Sequence, residues 1–311
     1  MMDRRAIGVD IGGTNTKIAL VAAGGDILRQ TTLPTGTHGD PAPFLRSLIE
    51  VLEGLVAPGM TGIGLALPGL FAPDGRSVIH NPNTPALVGI DYFALLDRFH
   101  LPIRLEQDLN APALAEYHFG AGRGIKRLMA AAIGTGLGAA VLVDGIALRF
   151  AGNTAGDNGH IILVPGGPHC SAGCSGCAEA LVATPAIERA ALRVRDDPRA
   201  ASLRTEARDG RIPARAVIAA ALAGDPLAGE IVGGIGGWLG QWLASLAPIF
   251  LPDRIVVCGG VAEAGEPLLC AARVRFTELA SPDYARCTII RGAFGGQAGV
   301  IGAATPFLLH R

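Results

Sequence analysis

The sequence predicts a two-domain α/β protein, and three observations support this fold class. The chain has 311 residues, which is long enough for two hydrophobic cores. Short apolar segments typical of strands alternate with helical segments in both halves. A hairpin built around a glycine turn occurs near the start and again in mid-chain, which indicates a duplicated architecture or a coincidence between two common hairpins.

The first half opens as strand, tight turn, strand. Strands are predicted at 6–11 and 16–22 around the turn GGT, and a third at 26–33 follows a Gly-Gly-Asp turn. A helix is expected after Pro41 because the leucines that follow recur at helical spacing. The other elements expected in this half are a strand at 61–67, a helix at 91–99, a strand at 103–108 and a helix from about Asn110.

The second half repeats the opening pattern with strands at 127–134 and 139–145 around the turn TGLG. The other elements expected here are helices at 184–195 and 213–223, strands at 254–260 and 287–292, and a closing helix from about Gly296.

Residues 231–252 carry no formal charge and are long enough to span a bilayer. Gln241, Ser245 and Pro248 interrupt the stretch, and no cluster of lysine or arginine flanks it. Four glycines fall on one predicted helix face, where they would let another backbone approach closely: Gly233, Gly236, Gly237 and Gly240. We therefore expect a buried helix beside a domain interface and no membrane span.

The formal net charge is −1, so no field of one sign favours nucleic acid or a membrane surface as a partner. The N-terminus turns acidic and glycine-rich before an apolar signal segment can form. This indicates a cytoplasmic protein, in which cysteines are thiols or metal ligands more often than disulfides.

Five soft ligands lie in the segment GDNGHIILVPGGPHCSAGCSGCAE (156–179). Its spacing C-x3-C-x2-C is compatible with a disulfide staple, an iron–sulfur cluster or a zinc clip. A reducing compartment argues against the staple. The iron–sulfur motif of this spacing usually follows the first strand of a β/α barrel, whereas these cysteines lie in mid-chain, so zinc is the favoured interpretation.

The two glycine turns and two aspartates are the candidates for chemistry. Asp10 ends a predicted strand before GGT, where glycines let backbone N–H groups approach an anion and Thr14 adds a hydroxyl. Thr135 lies in the second turn, and no Gly-Lys-Ser/Thr phosphate loop is present. Asp108 ends another strand, where a carboxylate is either a helix N-cap or a general base for phosphoryl transfer.

Together these motifs resemble the ROK family of bacterial sugar kinases, in the actin-like ATPase superfamily. The resemblance covers nearly the whole chain and follows the family's motif order: DIGGT (10–14), ALPG (66–69), QDLNA (107–111), IGTGLG (133–138), GDNGH (156–160) and CGGV (258–261). It implies an actin-like (ribonuclease H-like) fold with an interdomain active-site cleft. The implied domains are 1–115 plus 297–311, and 116–296 with the zinc loop and adenosine turn.

The resemblance implies ATP-dependent phosphorylation of a hexose, amino sugar or related polyol, with Asp108 as catalytic base. ATP and its magnesium are assigned to Asp10, Gly12, Gly13, Thr14, Lys17, Thr135, Gly136, Gly259 and Gly260. The sugar is assigned to Gly69, Asn83, Gln107, Asp108, Asp157, His160 and Glu179. Family members are often homodimers, so a homodimer is expected here.

The family's zinc loop reads Cys-x-Cys-Gly-x-x-Gly-Cys-x-Glu and follows the histidine of a Glu-x-Gly-His motif. Here His160, Cys170 and Cys177 match that pattern, but Ala172 stands where a cysteine is expected. Cys174 is expected to supply the missing thiolate of a structural zinc ion, with His169 as the spare ligand.

Two further departures concern the sugar contacts. Asp157 stands where the family commonly has glutamate, and Gln107 where it often has asparagine. The shorter carboxylate loses a direct hydrogen bond or needs a bridging water. These changes leave open the acceptor, with a cyclitol as one alternative.

A sugar-sensing transcriptional regulator without kinase activity is the other alternative, because the family includes repressors. Such proteins carry a DNA-binding domain ahead of the first phosphate turn. Only nine residues precede Asp10 in this sequence, which favours the kinase.

Overall fold

The computed structural model describes residues 4–36, 38–81, 84–150 and 154–309. Contacts divide the chain into two compact units. The first comprises Met1–Gly124, Ala140–Gly156 and Gln297–Arg311, and the second comprises Ile125–Ala139 and Asp157–Gly296.

A five-stranded sheet forms the centre of the first unit, in the order β3-β2-β1-β4-β7. The elements up to residue 124 are β1 (Arg5–Ile11), β2 (Asn15–Ala22), β3 (Ile27–Pro34), α1 (Ala42–Glu53), β4 (Met60–Leu67), β5 (Leu70–Phe71), β6 (Val78–His80), α2 (Tyr92–Leu96), β7 (Ile103–Gln107) and α3 (Asn110–His118). β1 is antiparallel to β2 and parallel to β4, and β4 is parallel to β7. The C-terminal ends of β1, β4 and β7 therefore lie at the same edge of the sheet.

The last helix of the chain, α10 (Ala298–Leu308), packs on this sheet at backbone contact distance. A Cβ atom at Gly64 of β4 would lie 1.8 Å from the Ala303 carbonyl oxygen, and one at Gly8 of β1 would lie 1.9 Å from that of Val300. Only glycine fits at these positions, because any side chain would push the helix off the sheet.

We expect Gly64→Ala to destabilise the protein by about 3 kcal/mol or more, because the added methyl overlaps the α10 backbone and cannot rotate away. Urea unfolding followed by circular dichroism measures the loss. Gly233→Ala is the matched control, since a Cβ there meets nothing within 4 Å. An unchanged unfolding midpoint for Gly64→Ala would contradict the backbone contact.

A second five-stranded sheet has the order β10-β9-β8-β11-β12. The remaining elements are β8 (Arg127–Ile133), β9 (Leu137–Val143), β10 (Ile146–Ala147), α4 (Ala178–Val182), α5 (Thr184–Arg193), α6 (Ala201–Thr205), α7 (Ala214–Leu222), α8 (Pro226–Phe250), β11 (Arg254–Cys258), α9 (Glu266–Leu279) and β12 (Thr288–Arg291).

The two sheets have the same topology. Numbered within each sheet along the chain, both have the strand order 3-2-1-4-5. The duplication expected from the two glycine hairpins is therefore confirmed in the strand order. The strand predicted at 139–145 is wrong at both ends: β9 begins at Leu137, and positive φ angles at Asp144 (51°) and Gly145 (80°) form the turn into β10.

Helix α8 corresponds to the uncharged stretch, and most of its apolar residues are buried, as expected. The expectation that its glycines share one packed face is wrong. Gly236 and Gly240 contact α9, where a Cβ would lie 2.3 Å from a carbonyl oxygen in each case, whereas Gly233 and Gly237 have open space beside them. Gly236 and Gly240, four positions apart, thus lie where α8 contacts α9, and Gly233 and Gly237 lie outside that contact.

Among the described residues, no helix by itself has the length and apolar character needed to cross a bilayer. The pair α7 and α8 meets that criterion only when taken together, with a bend of 112° between them.

Candidate active site

Hydrogen bonds fix the backbone of the first glycine turn, between β1 and β2, and the tip of this turn is exposed. The Gly12 N–H donates to the Asn15 carbonyl (3.1 Å), and the hydroxyl of buried Thr35 donates to the Gly12 carbonyl (2.8 Å). Gly13 and Thr14 at the tip are exposed. The turn therefore presents backbone N–H groups and a hydroxyl to a ligand. The bracing residue Thr35 was missed in the sequence because threonine at the end of a strand is common.

Asp10 lies at the C-terminal end of β1, half-buried and opposite Lys17 in the register of β1 and β2. Its carboxylate packs against Gly299 of α10, where a Cβ would lie 2.4 Å from Oδ2. Burial raises the pKa of Asp10, and the positive charge of Lys17 opposes that rise. Asp10 and Lys17 thus share one face of the sheet, which the alternation of strand residues left open.

Asp108 follows β7 directly, at the same edge of the sheet. Its backbone N–H donates to the Leu67 carbonyl at the end of β4 (3.1 Å). Burial and the negative charge of Asp10 raise the pKa of Asp108 to about 6, although N–H groups at Leu109 and at Asp108 itself lower it. A carboxyl group with this pKa is ionised at neutral pH and accepts a proton more readily than an ordinary aspartate does.

Besides Asp108, three sugar-site residues are expected in this unit, and the structure describes two of them, Gly69 and Gln107. The Gln107 side-chain amide donates to the Gly69 carbonyl (2.6 Å), so its added methylene is used to tie β7 to the loop after β4. Gly69 has φ +106° and no room for a Cβ, which would lie 2.5 Å from the His80 carbonyl oxygen. Asn83 lies outside the described residues. Its neighbour Asn81 is buried and donates to the Pro68 carbonyl (3.0 Å).

A buried ion pair beside Asp108 was missed by the sequence analysis. Glu106 is 1% exposed and pairs with Arg149, while its other oxygen accepts from the Gln107 N–H (2.9 Å) and the Asn110 side chain (3.0 Å). These bonds fix the turn that carries Asp108. No sequence signal links Glu106 to Arg149, because the pairing depends on how the chain folds back.

The second glycine turn, between β8 and β9, is held in the second unit. The Gly134 N–H donates to the Gly136 carbonyl (2.9 Å), and the Thr184 N–H donates to the Gly134 carbonyl (2.8 Å). Thr135 and Gly136 are exposed at its tip. This turn repeats the arrangement of the first one, with the N–H groups and a hydroxyl open to a ligand.

Glu179 links this turn to the cysteine loop. Its Oε2 accepts from the Leu137 N–H (3.2 Å), and its Oε1 accepts from the Ser171 hydroxyl (3.3 Å). A Cβ at Gly136 would lie 2.9 Å from Glu179 Oε2, so the carboxylate lies directly against the turn. Glu179, expected as a sugar contact, thus also contacts the second glycine turn.

His160 has neighbours at both ring nitrogens. Its Nδ1 lies 3.7 Å from Cys170 Sγ, and its Nε2 lies 3.7 Å from Asp157 Oδ1. The Asp157 side chain is 86% exposed and is therefore available to a ligand.

His160, Cys170, Cys174 and Cys177 form a group that could hold a metal ion. Each offers one ligand atom, and these atoms all lie within 4.8 Å of one another. Four atoms around a tetrahedral zinc ion with bonds of about 2.3 Å lie about 3.8 Å apart, so the donor set fits that metal. Exposed His169 is not among the four. The expectation that Cys174 reaches the cluster in place of Ala172 is thus compatible with the geometry.

The loop after β11 contains the glycines expected to contact adenosine. Gly259 has φ +88°, and a Cβ there would lie 2.3 Å from the Ile133 carbonyl oxygen at the end of β8. Gly260 begins a short 3₁₀ turn and has open space beside it. Glu263 in that turn forms an ion pair with Arg291 of β12.

Comparison with known proteins identifies the group to which this chain is similar. A family model described as the ROK family matches residues 6–309. A glucokinase of Halalkalibacterium halodurans is 32% identical over 97% of this chain and 94% of its own length. The DNA-binding transcriptional dual regulator NagC of Escherichia coli is 29% identical over 86% of this chain and 66% of its own length.

Among solved structures, a ROK family glucokinase from Streptomyces griseus, in complex with glucose and AMPPNP, has a TM-score of 0.85 at 30% identity. The match covers 96% of this chain and 98% of that one. This similarity confirms the expected mixed α/β fold.

Proposed function

The chain belongs to the ROK family and is an ATP-dependent sugar kinase, and we propose that it phosphorylates the primary hydroxyl of a hexose, with Asp108 as the catalytic base. The observation that carries the proposal is the Asp108 carboxylate, which follows β7 and has a pKa raised to about 6 by burial and by Asp10. Such a group can accept the proton of an alcohol during phosphoryl transfer.

In the proposed step, Asp108 takes the proton of the sugar hydroxyl as its oxygen attacks the γ-phosphorus of ATP. A new O–P bond forms, the bond to the β-phosphate oxygen breaks, and ADP leaves. Glu106 and Arg149 keep the turn that carries Asp108 in place. Positioning of this kind supplies much of the catalysis of phosphoryl transfer, because the reaction needs in-line geometry.

The two glycine turns are proposed to bind the phosphates of ATP. The Gly12 N–H already donates to the Asn15 carbonyl, so Gly12 is proposed to let the phosphates approach while Gly13 and Thr14 offer N–H groups and a hydroxyl in the first turn. Thr135 and Gly136 do so in the second turn. Bound magnesium would neutralise phosphate charge, and Asp10 would hold it through water. Lys17 is proposed to contact a phosphate, and Gly259 and Gly260 the adenosine.

The sugar is proposed to contact two groups of residues. In the first these are Gly69, Asn83, Gln107 and Asp108, although the Gln107 amide already bonds to the Gly69 carbonyl. In the second they are Asp157, His160 and Glu179. The similarity to a glucokinase and to a glucokinase structure in complex with glucose makes glucose the first acceptor to test.

A structural zinc ion is proposed at His160, Cys170, Cys174 and Cys177. The donor set of one imidazole and three thiols, with its ligand atoms within 4.8 Å, supports this proposal. Zinc bound there would fix the His160 ring through Nδ1, which faces Cys170, and Nε2, 3.7 Å from Asp157 Oδ1, would then donate to a ligand.

The function is tested by a screen that measures ADP release from ATP with glucose, other hexoses, amino sugars and cyclitols. We expect a hexose to give the highest kcat/KM, with its phosphorylated product identified by mass. ADP release that needs no acceptor, or a product phosphorylated only on a cyclitol, would contradict the proposed substrate.

We also propose a cytoplasmic homodimer. Size-exclusion chromatography with light scattering measures its oligomeric state.

The pKa of Asp108 predicts how activity depends on pH. A base must be deprotonated to act, so kcat/KM should be constant above about pH 6 and fall about tenfold per pH unit below it. The measurement is kcat/KM for glucose between pH 5 and pH 8 at constant ionic strength. A flat profile over this range would contradict the raised pKa or the role of Asp108.

A sugar-sensing regulator is the second candidate, favoured by the similarity to NagC. The test is a gel shift on chromosomal DNA fragments with and without sugar. Specific binding, together with no ADP release on any acceptor, would favour the regulator.

A further inference from the structure

We infer that Asn158 is a positioning residue that holds the loop bearing Asp157 and His160 onto the strand next to the second glycine turn. We call Asn158, Gly159 and Trp242 the loop clamp. This inference rests on the proposed function, because it assigns the clamped loop to sugar binding.

The first part of the clamp is the buried side chain of Asn158. In the chain, Asn158 lies between Asp157 and His160, the two residues proposed to contact the sugar. Its Oδ1 accepts from the Ala139 N–H (2.8 Å), and its Nδ2 donates to the Ala139 carbonyl (2.8 Å). The amide thus pairs with one residue of β9 as a neighbouring strand would. Ala139 lies three residues beyond Gly136, so the loop is attached next to the turn proposed to bind phosphate.

The other two members fix the backbone on the same side. The buried indole N–H of Trp242 in α8 donates to the Asn158 carbonyl (2.9 Å). A Cβ at Gly159 would lie 1.9 Å from the Leu137 carbonyl oxygen, so the backbone here touches the start of β9. Both amide atoms of Asn158 and its carbonyl therefore have partners, and the peptide has little room to move.

The clamp matters because side-chain contacts hold Asp157 and His160, the residues proposed to contact the sugar, only weakly. Asp157 is exposed, and its carboxylate is 3.7 Å from the His160 ring. Because the clamp fixes its backbone, Asp157 cannot move toward the sugar to compensate for a side chain shorter than that of glutamate. The loop has two anchors, the clamp beside β9 and the cysteine cluster beside His160. Loss of the clamp should therefore weaken sugar binding while the metal ligands stay together.

The test compares sugar and nucleotide parameters in Asn158→Ala. The change leaves two backbone groups of Ala139 without their partners and frees the loop. We expect KM for the sugar to rise about 10–100-fold, with KM for ATP within about threefold of the original and zinc content unchanged. A merely destabilising change would raise both KM values or lower the amount of active enzyme.

Trp242→Phe keeps most of the packing and removes only the indole N–H, so it tests the clamp even if Asn158→Ala does not fold. We expect KM for the sugar to rise about 3–10-fold. The matched control is Trp238→Phe, one helical turn away on α8 and half-buried, which should leave KM unchanged. The chain has two tryptophans, so Trp238→Phe also leaves Trp242 as the remaining fluorophore.

Sugar titrated into Trp238→Phe without ATP should change the emission of Trp242, because the indole bonds to the loop that the sugar contacts. Asn158→Ala, combined with Trp238→Phe, should weaken this change in emission. It should raise the apparent Kd for the sugar by the same factor as KM for the sugar. Unchanged sugar KM in both clamp variants, or a parallel rise of KM for ATP, would overturn the inference. If the original protein phosphorylates no sugar and Trp242 emission ignores every sugar, the proposed function fails instead.

Discussion

Asp108→Asn should lower kcat by about 10²–10⁴-fold, because the amide cannot accept the proton of the attacking hydroxyl. Sugar binding should survive, since asparagine keeps the shape of the side chain and can still hydrogen-bond to a hydroxyl. Single-turnover kinetics measure the first expectation, and isothermal titration with the sugar measures the second. The pH dependence of kcat/KM near pH 6 should disappear in this variant.

The same substitution should leave stability unchanged or raise it. The pKa of Asp108 is about 6 in the folded protein and about 4 in an unfolded chain. Between these values the folded state binds more protons, so the free energy of unfolding falls as pH rises from about 4 to 6 and stays lower above this range. A neutral asparagine removes that loss at pH 7, which urea unfolding at pH 4 and pH 7 can detect.

The matched control is Asp283→Asn, which removes a carboxylate that is exposed in the turn before β12. It should change neither kcat nor the unfolding midpoint. Near-normal turnover in Asp108→Asn would remove Asp108 as the base. A large loss of stability in that variant would instead mean that the carboxylate has a structural role.

Cys177→Ala should release the metal and raise KM for the sugar by about 10–100-fold, because the His160 ring loses the ion that orients it. Cys177 is the buried member of the cluster. The measurements are zinc per protein by mass spectrometry and KM for the sugar. Cys258→Ala, which removes an equally buried thiol outside the cluster, should retain both the metal and the sugar affinity.

Variants of the cysteine cluster also distinguish the alternatives for the fourth ligand and for the identity of the metal. Cys174→Ala should lose the metal and His169→Ala should keep it, since Cys174 has its sulfur among the four ligand atoms. The opposite result would make His169 the fourth ligand. A brown protein with stoichiometric iron would contradict zinc, and unchanged sugar kinetics without metal would show that the cluster does not support the proposed site.

The strands and the locations of the glycine turns could be predicted from the sequence because they depend on local patterns, whereas the order of the strands within each sheet came from the structure. Apolar residues alternate with turns in both halves, and the strands formed where these patterns lie, with bounds changed by a few residues. The error at 139–145 has a local cause in the Asp144–Gly145 turn. The shared face predicted for the α8 glycines failed because helical spacing does not reveal which residues meet α9.

The candidate site could be predicted only in part. The motifs located Asp10 and Asp108, because each lies at the end of an apolar strand. Glu106 with Arg149, and Asn158 with Ala139, could not be predicted, because each pair joins residues far apart in the chain. No residue type at either position signals its partner.

By itself, the sequence determined the fold class, the two glycine turns, the order of the motifs and the ligand types of the cysteine loop. Only the tertiary structure decided the raised pKa of Asp108, the approach of Cys174 to His160 and the attachment of Asn158 to β9. The physical reason is that burial, charge proximity and hydrogen bonding depend on distances in space. Local residue patterns set strands and turns, but these distances exist only once the chain has folded.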